Sequence, residues 1–136
     1  GQVASQVRSH LVAGHQSYWR QLYQEGIQVG ALPAWCLQGR YQVLVSPEPG
    51  WVWLAYEAAF LKEAKEINQG FTGQDWLIFH ENLVRSGKVH LVPTPLLGED
   101  GRAKLLPEIC QSFLRLWQWQ GHLAFDQDWG LYRVVS

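Results

Sequence analysis

The sequence lacks methionine altogether and contains only two cysteines among its 136 residues. Because no start residue is present, we expect a processed product or a domain cut from a longer protein. Cys36 and Cys110 form no CxxC pair and no zinc-type spacing, and both stand in apolar surroundings. We therefore predict two buried free thiols, which are typical of a reducing compartment such as the cytoplasm, with a disulfide between them as the alternative.

Long hydrophobic runs and an excess of charge are missing as well. No segment approaches the roughly 18 apolar residues of a membrane-spanning helix, so we expect no membrane association. Eleven Lys and Arg face twelve Asp and Glu, which gives a net charge of −1 with no basic run. Long-range attraction to nucleic-acid phosphates should therefore be weak. With 47% hydrophobic residues, the composition is that of a globular protein.

Catalytic and cofactor motifs are also absent. Ser46 and Ser112 lie in no G-x-S-x-G elbow, and no phosphate loop or GxGxxG is present. His122, Asp126 and Asp128 are close in sequence, but DQDWG is more simply interpreted as a polar turn than as a cation site. We predict a non-catalytic protein with no metal and no cofactor. An enzyme, or a domain that binds a small ligand or a carbohydrate, remains the third alternative.

Hydrophobic periodicity and end signals predict four helices. Three of them have a glycine stop at Gly26, Gly70 or Gly87, and Thr72-x-x-Asp75 resembles a capping box at the start of the third. Pro107 suits the first turn of the last helix, which Gly121 ends. The predicted spans are residues 2–24, 56–68, 74–86 and 107–120.

Strands are expected between these helices. RYQVLVS and WVWLAYE flank Pro-Glu-Pro-Gly and predict a hairpin, and KVHLVP predicts a further strand. A turn at residues 99–101 would lead to a return strand at 103–106. The last segment, 122–135, predicts a hairpin with its turn at 126–130. The expected fold is a single α+β domain over residues 1–136, with about four helices and short β-hairpins.

The order helix, helix, strand, turn and return strand resembles a winged-helix unit, as an architectural likeness only. A reading helix needs basic and amide side chains, but residues 74–86 carry one Arg against two acids and are apolar around most of the helix. DNA binding is therefore the second hypothesis. Its contact residues would be Asn82, Arg85, Lys88, Arg102 and Lys104.

Tryptophan is the residue in clearest excess, with eight copies. Rigid aromatic side chains with few charges around them are typical of protein contact surfaces. In the last helix Trp119 falls away from the apolar stripe that contains Phe113 and Trp117. Our leading hypothesis is a non-catalytic binding module that mediates protein–protein association within a larger protein or complex. Its candidate contact residues are Trp51, Trp53, Trp76 and Trp119.

Overall fold

The structure, a computed structural model, describes residues 16–38, 41–92 and 99–136, with the backbone alone for 99–103. The first part of the predicted helix over residues 2–24 lies outside the described residues. The described chain is α+β, as predicted, with two short 3-10 turns and one hairpin. Its elements are α1 (Gln16–Gln24), α2 (Gly50–Glu66), α3 (Gly73–Arg85), α4 (Glu99–Trp119), β1 (Leu123–Asp126) and β2 (Leu131–Val134).

The chain divides into two compact units. Unit 1 contains the described residues up to Val43 together with the segment Glu48–Ala59. Unit 2 contains Leu44–Pro47 and everything from Phe60 onwards. Helix α2 therefore supplies its first turns to unit 1 and its last turns to unit 2.

In unit 1 the segment WVWLAYE is helical, so the predicted hairpin around residues 47–50 is wrong. Each of the seven residues from Trp51 to Glu57 is buried. A helix buried on all sides has no polar stripe, and burial overrides the strand preference of Trp and Val. At the start of the helix, a Cβ on Gly50 would lie 1.6 Å from the carbonyl oxygen of Tyr41, so only glycine fits there.

Unit 1 also buries ionisable side chains. The Tyr56 hydroxyl donates to the carboxylate of Glu25 and accepts a hydrogen bond from Gln21 Nε2 at 2.7 Å. Burial, and then the hydrogen bond to Glu25, raises the pKa of Tyr56. Burial, and then the charge of Glu57, raises the pKa of the Cys36 thiol to about 12. These groups are therefore protonated in the folded protein at neutral pH.

In unit 2 the predicted capping box is confirmed. The Thr72 hydroxyl accepts from the Asp75 N–H at 3.0 Å, and the Asp75 carboxylate accepts from the Thr72 N–H at 2.9 Å. Helix α3 then ends before Gly87, as predicted. Gly87 itself has the left-handed conformation, with φ of 73°. The predicted stop of α2 at Gly70 is wrong, because Asn68 takes the left-handed position with φ of 53°.

Helix α4 begins at Glu99, so the turn at 99–101 and the return strand at 103–106 are wrong, and Pro107 lies inside the helix. Proline removes only one helical hydrogen bond. The helix continues through Pro107 because burial of one of its faces, which includes Leu106, Cys110 and Phe113, stabilises it. Residues 88–92 form no strand either, although the Val92 N–H donates to the Val45 carbonyl at 2.6 Å. Neither segment that was expected to build a wing is a strand in the described residues.

The C-terminal hairpin is confirmed, with Phe125 opposite Tyr132 and Asp126 opposite Leu131. Phe71, in the connection between α2 and α3, pairs with the free edge of β2. Its N–H donates to the Tyr132 carbonyl at 3.0 Å and its carbonyl accepts from the Tyr132 N–H at 2.7 Å. The hairpin thereby fixes the connection that joins α2 to α3.

Candidate functional site

A groove of about 430 Å³ lies between the last turns of α2 and helix α3, within unit 2. Each side contributes four residues spaced i, i+3, i+4 and i+7, which is the spacing of a single helical face. The α2 side consists of Phe60, Glu63, Ala64 and Ile67, and the α3 side of Asp75, Ile78, Phe79 and Asn82.

Aromatic rings form the floor of this groove. The centroid of the Phe60 ring lies 4.7 Å from that of Phe79, 5.1 Å from that of Phe71 and 5.5 Å from that of Trp76. Pairs at these distances contribute roughly 0.5–1.5 kcal/mol beyond the area they bury. The two sides of the groove are thus held by rigid side chains rather than by flexible ones.

The apolar side chains above this floor are open to solvent. Ile67 is 57% exposed and Ile78 is 46% exposed. Scattered exposed aliphatic residues are ordinary, but here they line one concavity together with three phenylalanine side chains. An apolar concavity with a few polar residues in its lining is the usual form of a binding site.

A second depression of about 590 Å³ adjoins the first one. The two share Phe79 and Asn82 in their linings. Basic residues enter here, since Arg85 and Lys88 line the second depression, whereas Glu63 and Asp75 line the first. The two adjoining depressions, taken together as the groove, are therefore lined by charged side chains of opposite sign.

The groove face of helix α3 is open because a different face of this helix packs on α4. Trp76, His80 and Leu83 are buried, and they lie about 115° around the helix from the groove face. Trp76 Nε1 donates to the carbonyl of Cys110 in α4 at 2.9 Å. Helix α3 is apolar around most of its circumference, as predicted, but its apolar residues form two separate faces.

The four candidate tryptophans have two different environments. Trp51, Trp53 and Trp76 are buried in their units, so their side chains are packing groups and the prediction of contact residues there is corrected. Trp119 is 85% exposed, as its position off the α4 stripe predicted. The other exposed residues described on α4 are polar except Pro107, namely Lys104, Glu108, Gln111, Ser112 and Arg115.

The candidate DNA contacts are only partly brought together. Asn82, Arg85 and Lys88 line the second depression, and Arg85 Nη1 donates to Asn82 Oδ1 at 3.4 Å. Lys104 is exposed on α4. Arg102 also belongs to α4, where its side chain lies outside the described residues.

The polar groups weighed for metal binding or catalysis have structural partners. The Asp126 carboxylate accepts from the Asp128 N–H at 3.0 Å and pairs with Arg133 Nε at 3.3 Å. His80 is fully buried, and its Nδ1 donates to the Trp76 carbonyl at 2.7 Å. In the described part of the chain no three His, Cys, Asp or Glu side chains converge as a metal site would require. Nor does any described helix have the length and apolarity needed to cross a bilayer.

No protein-family model, no curated protein and no solved structure matches this chain. The site is therefore defined by its own geometry. In the sequence, Phe60, Ala64 and Ile67 have the spacing of one helical stripe, but nothing in that spacing identifies the stripe as a site. The missed signal was the acid inside each stripe, Glu63 and Asp75, because an acid on an apolar face indicates that the face meets water.

Proposed function

We propose that this chain is a non-catalytic binding module that mediates protein–protein association. The observation that carries the proposal is the open groove between α2 and α3, with Ile67 and Ile78 exposed above an aromatic floor. Truncation of such anchors typically costs more than about 1 kcal/mol of binding free energy. Two buried free cysteines support a reducing compartment, and the cytoplasm is the proposed location.

Trp119 supplies a second contact point. An exposed tryptophan on a polar helix face offers a large, rigid side chain that loses little entropy on binding. Most of the other exposed residues described on α4 are polar, so Trp119 is the large apolar anchor that this helix offers to a partner. Replacement by alanine should weaken association without affecting folding.

Duplex DNA has less support as a partner. The cluster of Asn82, Arg85 and Lys88 favours it, but Glu63 and Asp75 line the adjoining part of the same groove. Acids beside a phosphate would offset the attraction of the two basic side chains. Binding to a duplex at low salt that falls steeply with added salt would promote this alternative.

The groove is tested by a matched pair of substitutions. Ile78 and Val92 are 46% and 44% exposed, and only Ile78 lines the groove. In the full-length protein, Ile78→Glu should reduce the recovery of copurifying partners about tenfold, whereas Val92→Glu should leave it unchanged. Both variants are first checked for native circular dichroism. If neither Ile78→Glu nor Trp119→Ala alters any association, the protein is not a binding module of this kind.

A further inference from the structure

The shape of the groove matches one kind of secondary structure. Each of the two sides of the groove carries a stripe of residues spaced i, i+3, i+4 and i+7. A third helix with an apolar stripe of the same spacing fills such a space, in the way that helices fill the grooves of many peptide-binding proteins. An extended strand would leave its own backbone groups facing aromatic rings.

The length of the groove sets the length of the occupant. Along α3 the lining runs from Asp75 to Arg85, which spans about 15 Å at the rise of an α-helix. Three to four turns of a partner helix, roughly 11–14 residues, cover this distance. A helix of that length is marginally stable alone and would be stabilised by docking.

The charges set its direction. Glu63 and Asp75 line the first depression of the groove, and Arg85 and Lys88 line the second. A helix tolerates acidic residues best in its first turn and basic residues best in its last turn, because of its macrodipole. The arrangement that satisfies both the partner helix and the groove places the first turn over Arg85 and Lys88.

We infer that the groove receives an amphipathic α-helix of a partner protein, with acidic residues in its first turn over Arg85 and Lys88 and basic residues in its last turn over Glu63 and Asp75. This inference rests on the proposed function, since it names the partner of the same groove. A second copy of the chain is a poorer occupant, because two concave grooves placed face to face leave both unfilled.

The probes are two acetylated and amidated 18-residue peptides of identical composition. Both carry leucine at i, i+3, i+4 and i+7 in an alanine and glutamine background. One peptide has two Glu in its first turn and two Lys in its last turn, and the other has these charges exchanged. Fluorescence anisotropy with the whole chain should show the acid-first peptide binding about fivefold more tightly, a preference that shrinks in high salt.

A charge swap in the protein separates groove recognition from the intrinsic helicity of the peptides. The double variant Glu63→Lys with Arg85→Glu should abolish or reverse the preference. Glu66→Lys with Arg115→Glu makes the same charge changes at exposed positions outside the groove lining, and should keep the preference. Both double variants retain the net charge of the chain.

Each outcome bears on a different claim. If both peptides bind equally and Ile78→Glu abolishes the binding, the groove takes a helix but the inferred charge order is wrong. If neither peptide binds at up to about 500 µM protein, the inference that the groove receives a helix is wrong. The proposed function is then still decided by the copurification experiment with Ile78→Glu and Val92→Glu. If sedimentation equilibrium shows a dimer that Ile78→Glu dissociates, the occupant is a second copy and the inference fails.

Discussion

Helix α3 has two apolar faces, of which one is buried and the other is open to solvent. On one face Trp76, His80 and Leu83 are buried, and Trp76 Nε1 donates to the backbone of α4. On the other face Ile78 is 46% exposed and Phe79 is only partly covered. The two faces differ little in hydrophobicity but strongly in what covers them.

The polar residues show why the two faces are not interchangeable. The buried face contains His80, whose Nδ1 donates to the Trp76 carbonyl. The groove face contains Asp75 and Asn82, both exposed. His80 is hydrogen-bonded inside the protein, whereas Asp75 and Asn82 meet water. The groove face is therefore suited to a surface that meets water until a partner covers it.

Truncation on the buried face should have the largest effect. Trp76→Ala removes a side chain that is 1% exposed and the donor to the Cys110 carbonyl. It also removes four ring contacts, with Phe60, Phe71, Phe79 and His80. We expect a loss of about 3–5 kcal/mol in the free energy of unfolding, measured by urea denaturation. A loss below about 1 kcal/mol would mean that α3 does not pack on α4 through this face.

Alkaline pH should destabilise the protein through unit 1 and not through α3. The pKa of Cys36 is raised from 9.0 to about 12, so between these values the unfolded chain loses a proton that the folded chain keeps. Because the unfolded state then binds fewer protons, the free energy of unfolding falls as pH rises, by up to about 1.4 kcal/mol per pH unit for one proton. The raised pKa of Tyr56 acts in the same direction.

Urea denaturation at about pH 7.5, 9 and 10 under reducing conditions measures this slope. Cys36→Ala should lower the stability at neutral pH but flatten the fall above pH 9. Since α3 contains neither Tyr nor Cys, the difference in stability between Trp76→Ala and the unaltered protein should be the same at each pH. A profile that is flat up to pH 10 would contradict the buried position of the thiol.

Local signals predicted several parts of this fold correctly. The capping box of Thr72 and Asp75, the glycine after α3 and the C-terminal hairpin depend on residues close in sequence, and their physical causes act over the same short range. The starts of α2 and α4 were not predicted. There the strand preference of Trp51-Val52-Trp53 was overridden by burial, and the turn signal at residues 99–101 lies in the first turn of a helix.

The candidate site was predictable only in part. The stripe Phe60-Ala64-Ile67 on α2 is visible as apolar periodicity in the sequence, whereas the α3 side offers only the adjacent pair Ile78-Phe79 between polar residues. Periodicity does not show which of two apolar faces on one helix is covered, because that depends on where α4 packs. For the same reason Trp76 and Trp119 had equal standing as contact residues, although one is buried and the other is exposed.

Truncation on the groove face should have the smallest effect on folding. Ile78→Ala shortens a side chain that already meets water, and alanine has the higher helix propensity. We expect the free energy of unfolding to change by less than about 0.5 kcal/mol in urea, in contrast to Trp76→Ala. A loss above about 2 kcal/mol would show that Ile78 is covered in the folded protein, by another part of the chain or by a second copy. The exposed groove would then be an internal contact, and the two faces of α3 would have the same structural role.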